Sequence, residues 1–388
     1  MESFPEEPLS RSAADGFGYL PADINQTLCG GRYTIARKLG WGPRSSTWLV
    51  YEKDSNDSYT CYRAVQIYTA ARSEEVESRL VPILEEVHHY ADPSTVPCLS
   101  SSFRETSIHG EHVCLVMKPY GLPFSNVLRD AQSRRDGLPV HVVQFTTSEI
   151  VNVLDVLHGK KVRVMHAGVK LENLVLGAET DRNSLQTHIS ENPPAKTQII
   201  DGLPVVRSQP LANDMVDWND PMRWVVGCWI LVLAGFGHSQ EAPYTPESGY
   251  DYSSAPETLL ENPTCGFSTD IWMLGCLIFH LLMGSPLLTS TGTPSERLGE
   301  IRDVLQDCQI PGHWLGDATV QALPKQDPST QSLEQRLKQN LKEDEASAAY
   351  RFLRKCLVID PAGRMSSRDF IRRDEWVREG AQCSCGFK

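Results

Sequence analysis

Residues 165–177 read MHAGVKLENLVLG. His166 is followed four residues later by Lys170 and three after that by Asn173. The run ends in a short apolar stretch and a Gly, as a loop that opens into a strand would. A loop carrying proton-transfer chemistry at this spacing would hold an acid two residues after the His. Gly168 stands there, without a side chain. The stretch is either a catalytic loop that lacks its base or an ordinary helix-to-strand turn, and the surrounding sequence has to decide.

Before it, TTSEIVNVLDVLHGKK (146–161) has apolar residues at helical spacing, with Thr146 or Thr147 as cap candidates. After it, STDIWMLGCLIFHLLMG (268–284) is apolar nearly all round, so it reads as the central buried helix of a helical region. EASAAYRFLRKCL (345–357) and SSRDFIRRDEWV (366–377) are further helices. The first part of the chain differs. RYTIARKLGWGPRSSTWLVYEKDSNDSYTCYRAVQIY (32–68) alternates and is rich in β-branched and aromatic residues, which predicts three antiparallel strands ending near Ile67. A helix over Ser73–His89 follows, capped by Ser73 and kinked or split at Pro82. HVCLVMKPYG (112–121) gives one more strand.

This is an α+β, bilobal pattern. Residues 1–30 are a loosely packed lead-in, 31–120 a small β-rich lobe, 121–377 a larger helical lobe with a polar insert at about 177–224, and 378–388 a tail.

Composition narrows the function. The 388 residues carry 37 Lys and Arg against 49 Asp and Glu, a net charge of −12, which argues against direct nucleic-acid binding and leaves room for a basic protein or peptide partner. The eleven cysteines follow no framework spacing, and Cys383 and Cys385 have no second pair to complete a zinc site. The thiols read as reduced, in cytoplasm or nucleus. The N-terminus lacks the basic start of a signal peptide, and no apolar run is long enough to span a membrane. Oligomeric state is not legible.

Seen together, LGWGPRSSTW (39–48), RAVQIY (63–68), MHAGVKLEN (165–173), VLAGFGHS (232–239), SAPETLL (254–260) and DPAGR (360–364) fall in one order on the expected element types. That order resembles the protein kinase signature set from Arg32 to Val377. The opening GRYTIARKLGWGPRSSTWLV, the insert segment ENPPAKTQIIDGLPVVRSQPL and the closing DEWV are similar to the SR-protein kinase group, in its fungal branch.

The resemblance implies a kinase fold, ATP with Mg2+ as cofactors, and an Arg/Ser-rich protein substrate. Nucleotide contacts would fall on Gly40, Gly42, Gln66, Met117 and Lys118, catalytic roles on His166, Lys170 and Asn173, and a metal on Asn173. The sequence departs at the chemical positions. Gln66 replaces the phosphate-clamping Lys, Leu80 falls at the helix Glu that would pair with it, Gly168 replaces the catalytic base, and Gly235 replaces the metal-binding Asp. A metal that bridges phosphates needs carboxylate oxygen, which Asn173 alone does not supply. Glu257, Arg364 and Asp270 match structural positions of the family and are retained.

The pattern reads as a pseudokinase, a binding or regulatory module without efficient phosphotransfer. Two alternatives stay open. One is an atypical active serine/threonine kinase in which Asp201, Glu172, Lys38 or Arg44 substitutes for a lost group. The other is a kinase-fold pocket turned to a small molecule.

Overall fold

The computed structural model describes residues 6–53, 59–132, 136–178, 182–211, 229–306 and 308–381. The chain divides into two compact units, Met1–Leu122 with Val175–Asp214, and Pro123–Leu174 with Met215–Lys388. The expected combination of a β-rich first region and a helical second region holds.

The first unit is built on an antiparallel sheet of β1 (Thr27–Leu28), β2 (Tyr33–Gly42), β3 (Ser45–Lys53), β4 (Tyr59–Tyr68), β5 (Leu99–Ser107) and β6 (Gly110–Met117). The spatial order is β1-β2-β3-β4-β6-β5. Side chains alternate between two faces. Trp48, Val50, Val65 and Ile67 share one buried cluster, and Leu49 and Tyr62 lie in another.

Both faces are covered by segments the sequence reading placed elsewhere. Residues 6–30, expected to pack loosely, send Leu20, Ala22 and Leu28 into the first cluster. From the sequence, the polar insert is expected in the helical region. Its helix Arg182–Glu191 instead packs with the sheet through Leu185, and Ala178 and Leu211 join the same cluster. The cause is a few well-spaced apolar residues in polar surroundings, enough to cover a sheet face but too sparse to give a periodic signal.

The helix after β4 also differs in detail. It runs as Ala70–Glu75, a π turn Val76–Leu80, and Val81–Tyr90. Pro82 therefore splits it as expected: the missing N–H and the ring's clash with the carbonyl four residues earlier are absorbed by the wider turn. Ser73 is not the cap. It lies inside the helix, donates to the Thr69 carbonyl at 3.0 Å and accepts the Val113 N–H at 2.9 Å.

In the second unit, helix Phe267–Met283 is buried along most of its length, as its composition requires. Helix Val140–Leu157 begins six residues before Thr146. The two expected cap threonines are buried inside it and donate to the carbonyls of Val142 and Val143, at 2.9 and 2.6 Å. Among the described residues, no helix is long and apolar enough to cross a membrane.

Candidate active site

The second unit holds the MHAGVKLEN loop. Strand Val164–Met165 pairs antiparallel with Gln240–Glu241 and delivers His166 into the interior. The buried carboxylate of Asp270 accepts the N–H groups of His166 and Ala167, each at 2.7 Å. His158 Nε2 lies 2.9 Å from the same carboxylate. One acid on the central helix thus fixes the loop backbone, including Ala167 in the left-handed region at φ 56°.

The Gly168 N–H donates to Nδ1 of His166 at 3.0 Å, which leaves the imidazole proton on Nε2. Burial pushes the His166 pKa down to about 4, against the attraction of Asp270. Phe236 packs edge-on to the ring at 4.5 Å.

Asn173 closes the loop on itself. Its Nδ2 donates to the Gly168 carbonyl at 2.8 Å, and its own carbonyl accepts the Ala234 N–H at 2.7 Å. Gly235 follows in the left-handed region, at φ 81° and ψ 38°. A Cβ on Gly235 would lie 2.1 Å from Asn173 Cγ and 2.2 Å from its Oδ1. A Cβ on Gly168 would stand 2.9 Å from both Asn173 Nδ2 and the Gly235 carbonyl oxygen. The Asn173 carboxamide therefore occupies space that side chains at 168 and 235 would need. This donor set does not fit a phosphate-bridging Mg2+, since no carboxylate accompanies the amide.

Lys170 donates to the Asp251 carbonyl and lies 4.3 Å from the Tyr250 ring centroid, and burial lowers its pKa. Glu257 and Arg364 form a buried bidentate pair at 2.6 and 2.7 Å. Thr269 donates to the same carboxylate at 2.9 Å.

The first unit carries the other predicted residues. Gly40 and Gly42 lie in the β2–β3 hairpin, paired with Thr47 and Ser45. The Gly42 carbonyl accepts the Tyr19 hydroxyl at 2.7 Å. Gln66 pairs with Thr47 across the ladder, and its Nε2 donates to Ser45 Oγ at 2.8 Å. Leu80 is buried. The nearby acids are engaged elsewhere, Glu75 with Arg72 and Arg79, and Glu77 with Arg104. Met117 is buried at the end of β6, and Lys118, next to it, is half-buried.

The candidate substitutes each have a local setting of their own. The Lys38 ammonium is buried and donates to Glu6 at 2.7 Å, to Glu7, and to the Val206 carbonyl at 3.1 Å. Burial raises the Glu7 pKa, outweighing the pull of Lys38. Asp201 sits with Gly202 in the exposed turn of hairpin Gln198–Ile200/Leu203–Val205, at φ 52° and 78°. Arg44 is half-buried in the β2–β3 turn. Glu172 lies on the 3-10 turn Leu171–Asn173. Among the described residues no cluster of three or more His, Cys, Asp or Glu is arranged to hold a metal, and Cys383 and Cys385 lie outside those residues. Sequence reasoning missed Tyr250, whose contact with the loop has no motif to announce it.

Residues 231–377 match the protein kinase domain family model. The serine/threonine-protein kinase SRPK of Physarum polycephalum is 24% identical over 292 residues, 70% of this chain and 64% of the relative. SRSF protein kinase 3 of Mus musculus is 31% identical over 164 residues, 41% of this chain and 28% of the relative. Protein kinase dsk1 of Schizosaccharomyces pombe is 26% identical over 166 residues, 42% of this chain and 30% of the relative. The matched regions span less than two thirds of each of these relatives. Residues 231–377 thus match the protein kinase domain model, and the chain is similar in sequence to SRPK-type protein kinases.

Proposed function

We propose that this protein is an SR-protein-kinase-like pseudokinase that works as a binding or regulatory module. The observation that carries this reading is the Asn173 carboxamide, tied to Gly168 and filling the space beside Gly235. Two carboxylates are missing, and the Asn173 carboxamide stands where side chains at their positions would go.

The lost steps are large. A positioned general base is worth about 10²–10⁴ in rate, and phosphate-bridging metal adds several kcal/mol of charge stabilisation. Gln66 carries no charge for a phosphate clamp, and its amide is turned onto Ser45. An atypical active enzyme would need substitutes. Lys38 is committed to Glu6 and Glu7, and Asp201 to a hairpin turn, which weighs against that alternative.

The retained parts are structural: Asp270 under the loop, and Glu257 with Arg364. They preserve a folded surface for a protein partner. The net charge of −12 and the likeness to kinases named for SRSF proteins favour a basic, Arg/Ser-rich segment. The test is phosphotransfer from MgATP to Arg/Ser-rich peptides. No turnover above background is expected. Clear turnover that Lys170→Ala or Asn173→Ala abolishes would overturn the reading.

A further inference from the structure

Tyr250 of the segment before the APE motif is built into the loop described above. Its hydroxyl donates to the Ala167 carbonyl at 2.7 Å, one residue short of Gly168. One face of its ring stacks on His238, with centroids 3.6 Å apart and planes 19° from parallel. The Lys170 ammonium lies 4.3 Å from the ring centroid. His238 is itself oriented by Glu247, Nδ1 to Oε2 at 2.7 Å. Tyr252 meets the Tyr250 ring edge-on at 4.8 Å.

Each contact answers one property of a phenol. An ammonium and an imidazole take the π face, and a backbone carbonyl takes the O–H. We propose that Ala167, Lys170 and His238 form a phenol-recognition site on the catalytic loop, filled here by the chain's own Tyr250. Its ligand class is a phenolic ring, supplied in cis by Tyr250. While Tyr250 is seated, an incoming side chain meets it rather than the Ala167 carbonyl and the Lys170 ammonium. This goes beyond the loss of catalysis, and its test needs neither nucleotide nor phosphotransfer.

Tyr250→Ala in the full chain should leave a slot that p-cresol refills. Millimolar p-cresol should raise the melting temperature of the variant by about 3 °C or more and move the wild type by less than about 1 °C. Toluene, which has no hydroxyl, should stabilise the variant less. Equal shifts in variant and wild type, or equal effects of p-cresol and toluene, overturn the site. If Tyr250→Ala does not fold, Tyr250→Phe decides. Amide exchange over 165–169 should speed up by about fivefold when the hydroxyl alone is removed, and unchanged exchange overturns the proposal.

Discussion

Asn173 Nδ2 donates to the Gly168 carbonyl oxygen at 2.8 Å, and the same carboxamide stands where a Cβ on Gly235 would have to go. A side chain at 168 or 235 would therefore have to displace the Asn173 carboxamide. Restoring carboxylates with Gly168→Asp and Gly235→Asp should fail to restore Mg2+-dependent nucleotide binding. It should also destabilise by about 2 kcal/mol or more, from overpacking and from an Asp held at positive φ. Urea denaturation measures the cost. A double variant as stable as wild type, with a Mg2+-dependent thermal shift, would show that the space is not closed.

Nucleotide binding itself is read by thermal-shift titration with ATP, with and without Mg2+. A ligand at about 100 times its Kd stabilises by about 2.7 kcal/mol, so modest affinity is visible. The expected outcome is a curve that does not change when Mg2+ is added. A shift that requires Mg2+ would demand a metal ligand not identified above and would move the active-enzyme reading ahead.

Lys38 offers a stability test. Its side chain is 1% exposed and faces carboxylates that are 7% and 3% exposed. Lys38→Met leaves Glu6 and Glu7 buried without their cation and should cost about 3–5 kcal/mol. Adding Glu6→Gln and Glu7→Gln should recover part of that loss. Equal stability of wild type and Lys38→Met would mean that the buried network contributes nothing.

His166 gives a pH dependence with a definite sign. Its pKa falls from 6.5 to about 4 in the folded chain, through burial. Between those values the unfolded chain binds the proton and the folded chain does not, so folding stability is complete above pH 6.5 and declines as pH falls toward 4. The full loss is roughly 3 kcal/mol. Urea melts between pH 7 and 4.5 should show this slope, and His166→Gln should flatten it. An equal slope in the variant assigns the effect elsewhere.

The fold was legible where periodicity was strong. The alternation over 32–68 located three strands, and the all-round apolar run at 268–284 located the buried helix. Strand β5 was missed because its positions alternate in burial but are mostly Ser, Thr, Arg and Glu. That composition suits a sheet edge and hides the strand from hydrophobic patterning. In the site, motif order singles out Gln66, Gly168 and Gly235. It gave no sign that Asn173 would turn onto Gly168 or that Tyr250 would reach Ala167. Those contacts depend on loop backbone, Ala167 and Gly235 at positive φ, which no spacing rule encodes.

The first unit draws on chain that lies on both sides of a stretch belonging to the second. During synthesis, Leu49 and Tyr62 emerge long before Leu185 and Leu211, the residues that share their buried cluster. The sheet must wait on the ribosome with one face wet until residue 211 is out, and only then can that unit close. A nascent chain stopped near residue 122 would present an unfinished apolar face to chaperones and to other copies of itself.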